Sequence, residues 1–129
     1  MLLTYEYDSN YNGPAFPVVE IAIHGFAAQS IEVTCRALID SGADATMIPL
    51  RLLTRAKARK IDTARMVALQ GPSYRVDVYE VKLRLGPFMM SRVDVIASKD
   101  GTEAILGRDV LNQFIVTLNG LASMTEITQ

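Results

Sequence analysis

Apolar and polar residues alternate with period two in several short runs, the pattern of strands buried on one face. Val19, Ile21 and Ile23 alternate with Glu20, Ala22 and His24, and Ile31, Val33 and Cys35 alternate with Glu32, Thr34 and Arg36. Residues 25–30 separate the runs, which predicts an antiparallel pair joined by a longish turn. The second run continues as Ala37-Leu38-Ile39, apolar on both faces, and ends in Asp40-Ser41-Gly42-Ala43-Asp44. Residues 64–70 and 74–85 predict two more strands around Gly71-Pro72-Ser73. In the second of them Val76 and Val78 share one face, whereas Tyr79, Val81, Leu83 and Leu85 share the other. A bulge near Tyr79 would reconcile the two phases. Gly86-Pro87 turns the chain into a strand around Val93 and Val95, and Lys99-Asp100-Gly101 turns it again. Ala104-Ile105-Leu106 is a short apolar strand that ends in Gly107-Arg108-Asp109. Residues 114–118 and 121–127 flank Asn119-Gly120, a strong hairpin signal.

Two short helices complete the pattern. Pro49 suits the first position of one, which carries Leu50, Leu52, Leu53, Ala56 and Ala58 and turns basic toward its end. The other is predicted at 109–114. Residues 1–16, rich in Tyr, Asn, Gly and Pro, predict an irregular arm ahead of a single domain over 17–129. Twice an apolar strand enters a glycine-containing turn and leaves into a short helix, once at 38–42 and once at 105–109. Two such units can pack as pseudo-symmetric halves of one small barrel.

The 129 residues are half apolar and 21% charged, the balance of a folded domain. Thirteen basic residues against fourteen acidic ones give a net charge of −1. No global positive field attracts phosphates, so nucleic acid is not an expected partner. No apolar run has the length that spans a bilayer, so neither is a membrane. Met1-Leu2-Leu3-Thr4-Tyr5-Glu6 lacks the basic start of a signal peptide, and the expected location is cytoplasmic. One cysteine, Cys35, excludes an intrachain disulfide and a multi-cysteine zinc site. One histidine, His24, excludes a Cys/His cluster and weakens a Ser-His-Asp arrangement. No metal and no cofactor are expected. Cys35 lies mid-strand on an apparent core face and reads as a structural thiol rather than a nucleophile.

The strongest candidate for chemistry is Asp40. A strand buried on both faces runs straight into its carboxylate, which predicts a partly desolvated acid on a rigid support. Ser41 and the N–H groups of Gly42 and Ala43 follow closely enough to orient it. On these residues alone a turn aspartate or a helix cap remains an equal alternative. No phosphate-binding glycine loop, calcium loop or G-x-S-x-G elbow is present.

The stretch Ala37-Leu38-Ile39-Asp40-Ser41-Gly42-Ala43-Asp44-Ala45-Thr46 resembles the active-site loop of retropepsin-type aspartic proteases, apolar residues followed by D-T/S-G-A. Ala104-Ile105-Leu106-Gly107-Arg108-Asp109-Val110-Leu111 resembles the second signature of that family, apolar-apolar-G-R-D/N-x-L. Both occur in order, with a similar succession of strands between them, and the likeness is greatest to single-domain bacterial members. The resemblance implies an all-β fold, a retropepsin-like closed β-barrel forming a single acid-protease lobe with one or two short helices. It implies an aspartic endopeptidase in which two carboxylates and one water split a peptide bond. This chain holds one D-S-G loop, so the second carboxylate would be Asp40 of another copy, and a homodimer is required.

Further roles follow from the resemblance. Ser41 would bond across the dimer axis, Gly42 would offer backbone to the substrate, Ala43 would belong to the same active-site loop, and Asp44 would form a largely buried ion pair with Arg108. Gly107, Arg108 and Asp109 would support the loop. The hairpin tip, Leu69, Gln70, Gly71, Pro72 and Ser73, would be the flap over a peptide or protein substrate. It lacks the glycine-rich tip of viral members, and Pro72 stiffens it. The C-terminal hairpin or the N-terminal arm would supply the dimer sheet. Tyr5, Tyr7, Tyr11 and Phe16 also make the arm a candidate for occupying a cleft. The alternatives are a retropepsin-fold binding or dimerisation module without turnover, and an unrelated ligand-binding barrel.

Overall fold

The computed structural model describes residues 1–67, 70–99, 101 and 103–129. Its strands are β1 (Leu3–Glu6), β2 (Val18–His24), β3 (Val33–Ile39), β4 (Met47–Pro49), β5 (Arg59–Met66), β6 (Tyr74–Leu85), β7 (Phe88–Ser98), β8 (Ala104–Leu106), β9 (Ile115–Asn119) and β10 (Met124–Thr128). Two short helices, α1 (Leu50–Arg55) and α2 (Arg108–Leu111), follow β4 and β8. Six strands close into a barrel in the order β2-β3-β8-β4-β7-β6, with β6 pairing back onto β2. The all-β barrel with two short helices is the predicted class.

Alternation fills the barrel. Val19, Ile21 and Ile23 of β2, Val33, Ala37 and Ile39 of β3, Val81, Leu83 and Leu85 of β6, and Val93 and Val95 of β7 are all buried. Leu52, Leu53, Val110 and Leu111 add the inner faces of the helices. The β2–β3 pair is antiparallel, as predicted, with Ile21 opposite Cys35. β3 starts later than its pattern suggests, and Ile31 is exposed. Cys35 is only partly buried, and its burial pushes the thiol up to about 11.

Four expectations need correction. The segment read as an irregular arm carries β1, which pairs with β10 in a three-stranded sheet, β1-β10-β9. Leu3 and Tyr5 are half-buried while Thr4 and Glu6 are exposed, a short alternation that the following run of Asn, Gly and Pro obscures. The rest of the arm is stitched to its own chain by an Asp8–Phe16 bridge, a Tyr11–Phe16 ring contact at 4.8 Å and an Arg36–Asp8 ion pair at 3.4 Å. Pro49 ends β4 and caps α1 from outside, and α1 stops at Arg55 because Lys57 turns left-handed at φ 54°. The bulge lies on the partner strand. Lys60 faces Tyr79 and Asp62 faces Val78, so Ile61 is the extra residue against β6, and a second register shift, against β7, falls between Val81 and Leu83. In the C-terminal hairpin Asn119 pairs with Met124, which leaves four residues in the turn. Ser123, not Gly120, takes the left-handed conformation, and Ala122 N–H donates to Asn119 Oδ1 at 3.0 Å.

β5 lies outside the closed barrel and, among the described residues, pairs only with β6. β7 accompanies β6 as far as Ile96 opposite Val78. Beyond that level residues 63–66 and 74–77 form a ribbon of two strands. Among the described residues no helix is long and apolar enough to cross a membrane.

Candidate active site

β3 delivers Asp40 to one end of the barrel. Ile39 N–H donates to the Pro17 carbonyl at 3.0 Å, and Asp40 N–H to the Leu106 carbonyl at 3.1 Å. The chain then turns tightly, with Ala43 N–H donating to the Asp40 carbonyl at 3.1 Å. Gly42 N–H donates to Asp40 Oδ1 at 3.0 Å, which orients the carboxylate. A Cβ at position 42 would lie 3.2 Å from that same oxygen, so glycine keeps the acid uncrowded. Asp40 is half-buried, while Ser41 and Gly42 are exposed. The desolvation predicted for Asp40 is thus incomplete in one chain, because the strand ends at the surface.

The second signature braces this loop from behind. Arg108 N–H donates to the Ala43 carbonyl at 2.9 Å. The Arg108 guanidinium donates to the Ser41 carbonyl at 2.7 Å and pairs with Asp44. The pairing of Asp44 with Arg108 matches the expectation, but its burial does not. The Asp44 side chain is 90% exposed, so the pair is screened and adds under about 1 kcal/mol.

The stronger brace runs through Thr46, which the motif contains but sequence reasoning gave no role. Asp109 accepts from Thr46 N–H at 3.0 Å and from the Thr46 hydroxyl at 2.7 Å, and also from Val110 N–H at 2.9 Å. The Thr46 oxygen in turn accepts from Gly107 N–H at 3.1 Å. Thr46 is completely buried, and its polar groups are bonded. A polar residue directly before the apolar Met47-Ile48 was the available signal. Gly107 is required by close approach: a Cβ there would sit 2.7 Å from the Ala45 backbone. Asp40 to Asp44 and Gly107 to Asp109 therefore form one bonded unit.

Gln70, Gly71, Pro72 and Ser73 are exposed between β5 and β6 at the end of the two-stranded ribbon, and Leu69 falls outside the described residues. Among the described residues no hydrogen bond or ion pair links 70–73 to 40–44. At the tip, Arg65 donates to Ser73 Oγ at 3.1 Å. Beside the ribbon, Met47, Val76, Asp77, Ala97 and Lys99 help to line a cavity of about 390 Å³. Among the described residues no three His, Cys, Asp or Glu side chains gather to hold a metal ion.

The family model described as aspartyl protease matches residues 19–110. No curated protein matches the chain in sequence. Among solved structures, a retropepsin-like aspartic protease from Rickettsia conorii superposes with a TM-score of 0.68 at 11% identity, over 98% of this chain and 91% of that one. The EIAV protease complexed with the inhibitor HBY-793 superposes with a TM-score of 0.52 at 21% identity, over 81% of this chain and 92% of that one. By its matched residues and its barrel, the chain belongs to the aspartyl protease family and has the retropepsin fold.

Proposed function

We propose that the chain is an aspartic endopeptidase whose active form is a homodimer, with Asp40 of each copy as the catalytic acid. The observation that carries this reading is a single oriented carboxylate at a barrel end, held by Gly42 N–H and braced through the second signature. Two copies related by a two-fold axis would place two such carboxylates together. Carboxylates about 3 Å apart cannot both ionise, so the pair shares one proton. The ionised partner takes a proton from water, whose oxygen attacks the peptide carbonyl, while the protonated partner donates to the carbonyl oxygen. The tetrahedral species then collapses, the C–N bond breaks, and a carboxyl proton passes to the departing nitrogen. Ser41, exposed on the open side of the loop, would bond across the axis. The ribbon tip, Leu69 to Ser73, would cover a peptide substrate.

Of the chain-end elements, β9 suits the dimer sheet. Among the described residues β10 is paired on both sides, and β1 and β9 are the two edges of the sheet; of these, β9 itself carries the exposed Ile115 and Leu118. Leu121 extends the apolar surface at the turn. Edge pairing with a second β9 would complete the backbone bonding of that edge and set Ile115 and Leu118 beside side chains of the second copy.

A binding module without turnover is the second reading, favoured by Pro72 in the tip. Assay of Asp40→Asn on a peptide library separates the two. The variant should stay folded and lose cleavage, and the wild-type rate per chain should fall on dilution. Cleavage undiminished in Asp40→Asn, or full activity from a monomer, refutes the proposal.

A further inference from the structure

Glu80 is a buried acid that neither the family signatures nor the loop brace uses. It lies on β6 with Arg59 of β5 directly opposite on one side and Asp94 of β7 directly opposite on the other. Its Oε1 pairs with Arg59 at 3.2 Å and its Oε2 with Arg92 of β7 at 3.6 Å. Arg92 also donates to Asp94 Oδ1 at 3.1 Å. Two carboxylates thus face each other across the β6–β7 ladder, an arrangement that repels; Arg92 bridges both, and together with Arg59 it balances their two charges.

The position of this cluster gives it a consequence. Glu80 lies two residues before the level at which β7 stops accompanying β6, and the Ile61 bulge of β5 adjoins it. From there the ribbon continues on two strands. Because β5 pairs with no barrel strand except β6, Arg59–Glu80–Arg92 is the ionic link among the described residues that ties β5 through β6 to β7. A bulge bends and twists the strand that carries it. A clamp beside the bulge fixes which way that bend points. Arg92 and Asp94 also share the wall of a cavity of about 370 Å³ with Asp109 and Gln113, so the ribbon's root stands next to the loop brace.

We propose that Glu80 is a positioning residue that sets the angle at which the ribbon leaves the barrel and so holds the flap over the site. Its kinetic consequence rests on the endopeptidase reading; its mechanical consequence does not. Amide hydrogen exchange on the full-length protein, together with peptide kinetics, tests both. In Glu80→Gln the amides of 62–66 and 74–78 should exchange at least tenfold faster, while those of β2 and β3 keep their rates. KM should rise severalfold with kcat nearly unchanged, and Glu80→Asp should restore part of the protection. Arg59→Gln, at a side chain that is 78% exposed, should speed exchange in β5 without touching β7, and Arg92→Gln should speed both ribbon strands. Should Glu80→Gln fail to fold, the two arginine variants decide. Unchanged ribbon exchange in the folded variants overturns the proposal, and so does equal acceleration throughout the barrel, which would make Glu80 an ordinary stabilising group. If the wild type cleaves no peptide, the endopeptidase reading falls and the exchange comparison still decides the anchor.

Discussion

The proposed site joins the loop at residues 40–46 to the ribbon that ends at 70–73, yet the loop is braced from behind by the second signature and the ribbon is bonded almost only to itself. The loop receives hydrogen bonds from Gly42, Ala43 and Arg108 and is keyed to Asp109 through the buried Thr46. The ribbon past Val78 has two strands, and Arg65 stands opposite Arg75 within it. Directly opposed like charges weaken a pair of strands, and here Arg65 turns to Ser73 instead. Chemistry that depends on an oriented carboxylate needs the first kind of construction. A cover that must admit and release a chain needs the second.

Breaking the loop should therefore have the larger effects. Asp40→Asn removes the proposed acid from both halves of a dimer, and cleavage should drop on the order of 10³-fold or more, while the melting temperature stays near that of the wild type. Asp109→Ala is the largest structural test. It strips three donors of their acceptor and leaves Thr46 buried with polar groups unpaired. A loss of roughly 3 kcal/mol is expected, read in calorimetry as a fall of about 10 °C. Gly107→Ala forces a methyl against the Ala45 backbone and should lose roughly 1–3 kcal/mol. Asp44→Ala should lose less than about 1 kcal/mol, because its ion pair is exposed. A large loss in Asp44→Ala with a small one in Asp109→Ala would reverse the ranking of the two braces.

The same contrast marks what could be read from the residues. Period-two alternation located β2, β3 and the core half of β6, because those strands are buried on one face and a slip would expose their apolar set. Asp40 and its neighbours were legible because an apolar strand running into a carboxylate is an unusual junction. Thr46 was not, since a buried hydroxyl is explained only by Asp109, 63 positions away in the chain. Glu80 reads in sequence as an ordinary solvent-face acid of an alternating strand. Its burial depends on arginines from the strands on either side, a tertiary fact. The arm failed for the opposite reason: four residues of weak alternation became a strand because β10 offered an edge.

The smallest effect on stability, and the sharpest reading of the contrast, comes from thiol chemistry. Cys35 lies on β3, the strand that carries Asp40, and burial holds its thiol near 11. Placing a second cysteine at the ribbon tip with Ser73→Cys compares the two regions in one molecule. The new side chain is exposed on a two-stranded ribbon, so its thiol should titrate near the ordinary cysteine value of about 8.5. The thiolate is the reactive form, so at pH 8 the tip cysteine should be alkylated about a hundredfold faster than Cys35. Raising the pH should narrow the gap, because Cys35 ionises only as pH approaches 11. The sign for stability follows: an acid whose folded-state value is raised favours folding while neutral, so its contribution is intact below pH 8.5 and declines as pH rises toward 11. Equal alkylation rates at pH 8 would mean that the foot of the Asp40 strand opens as freely as the ribbon, and the rigid half of the comparison would be lost.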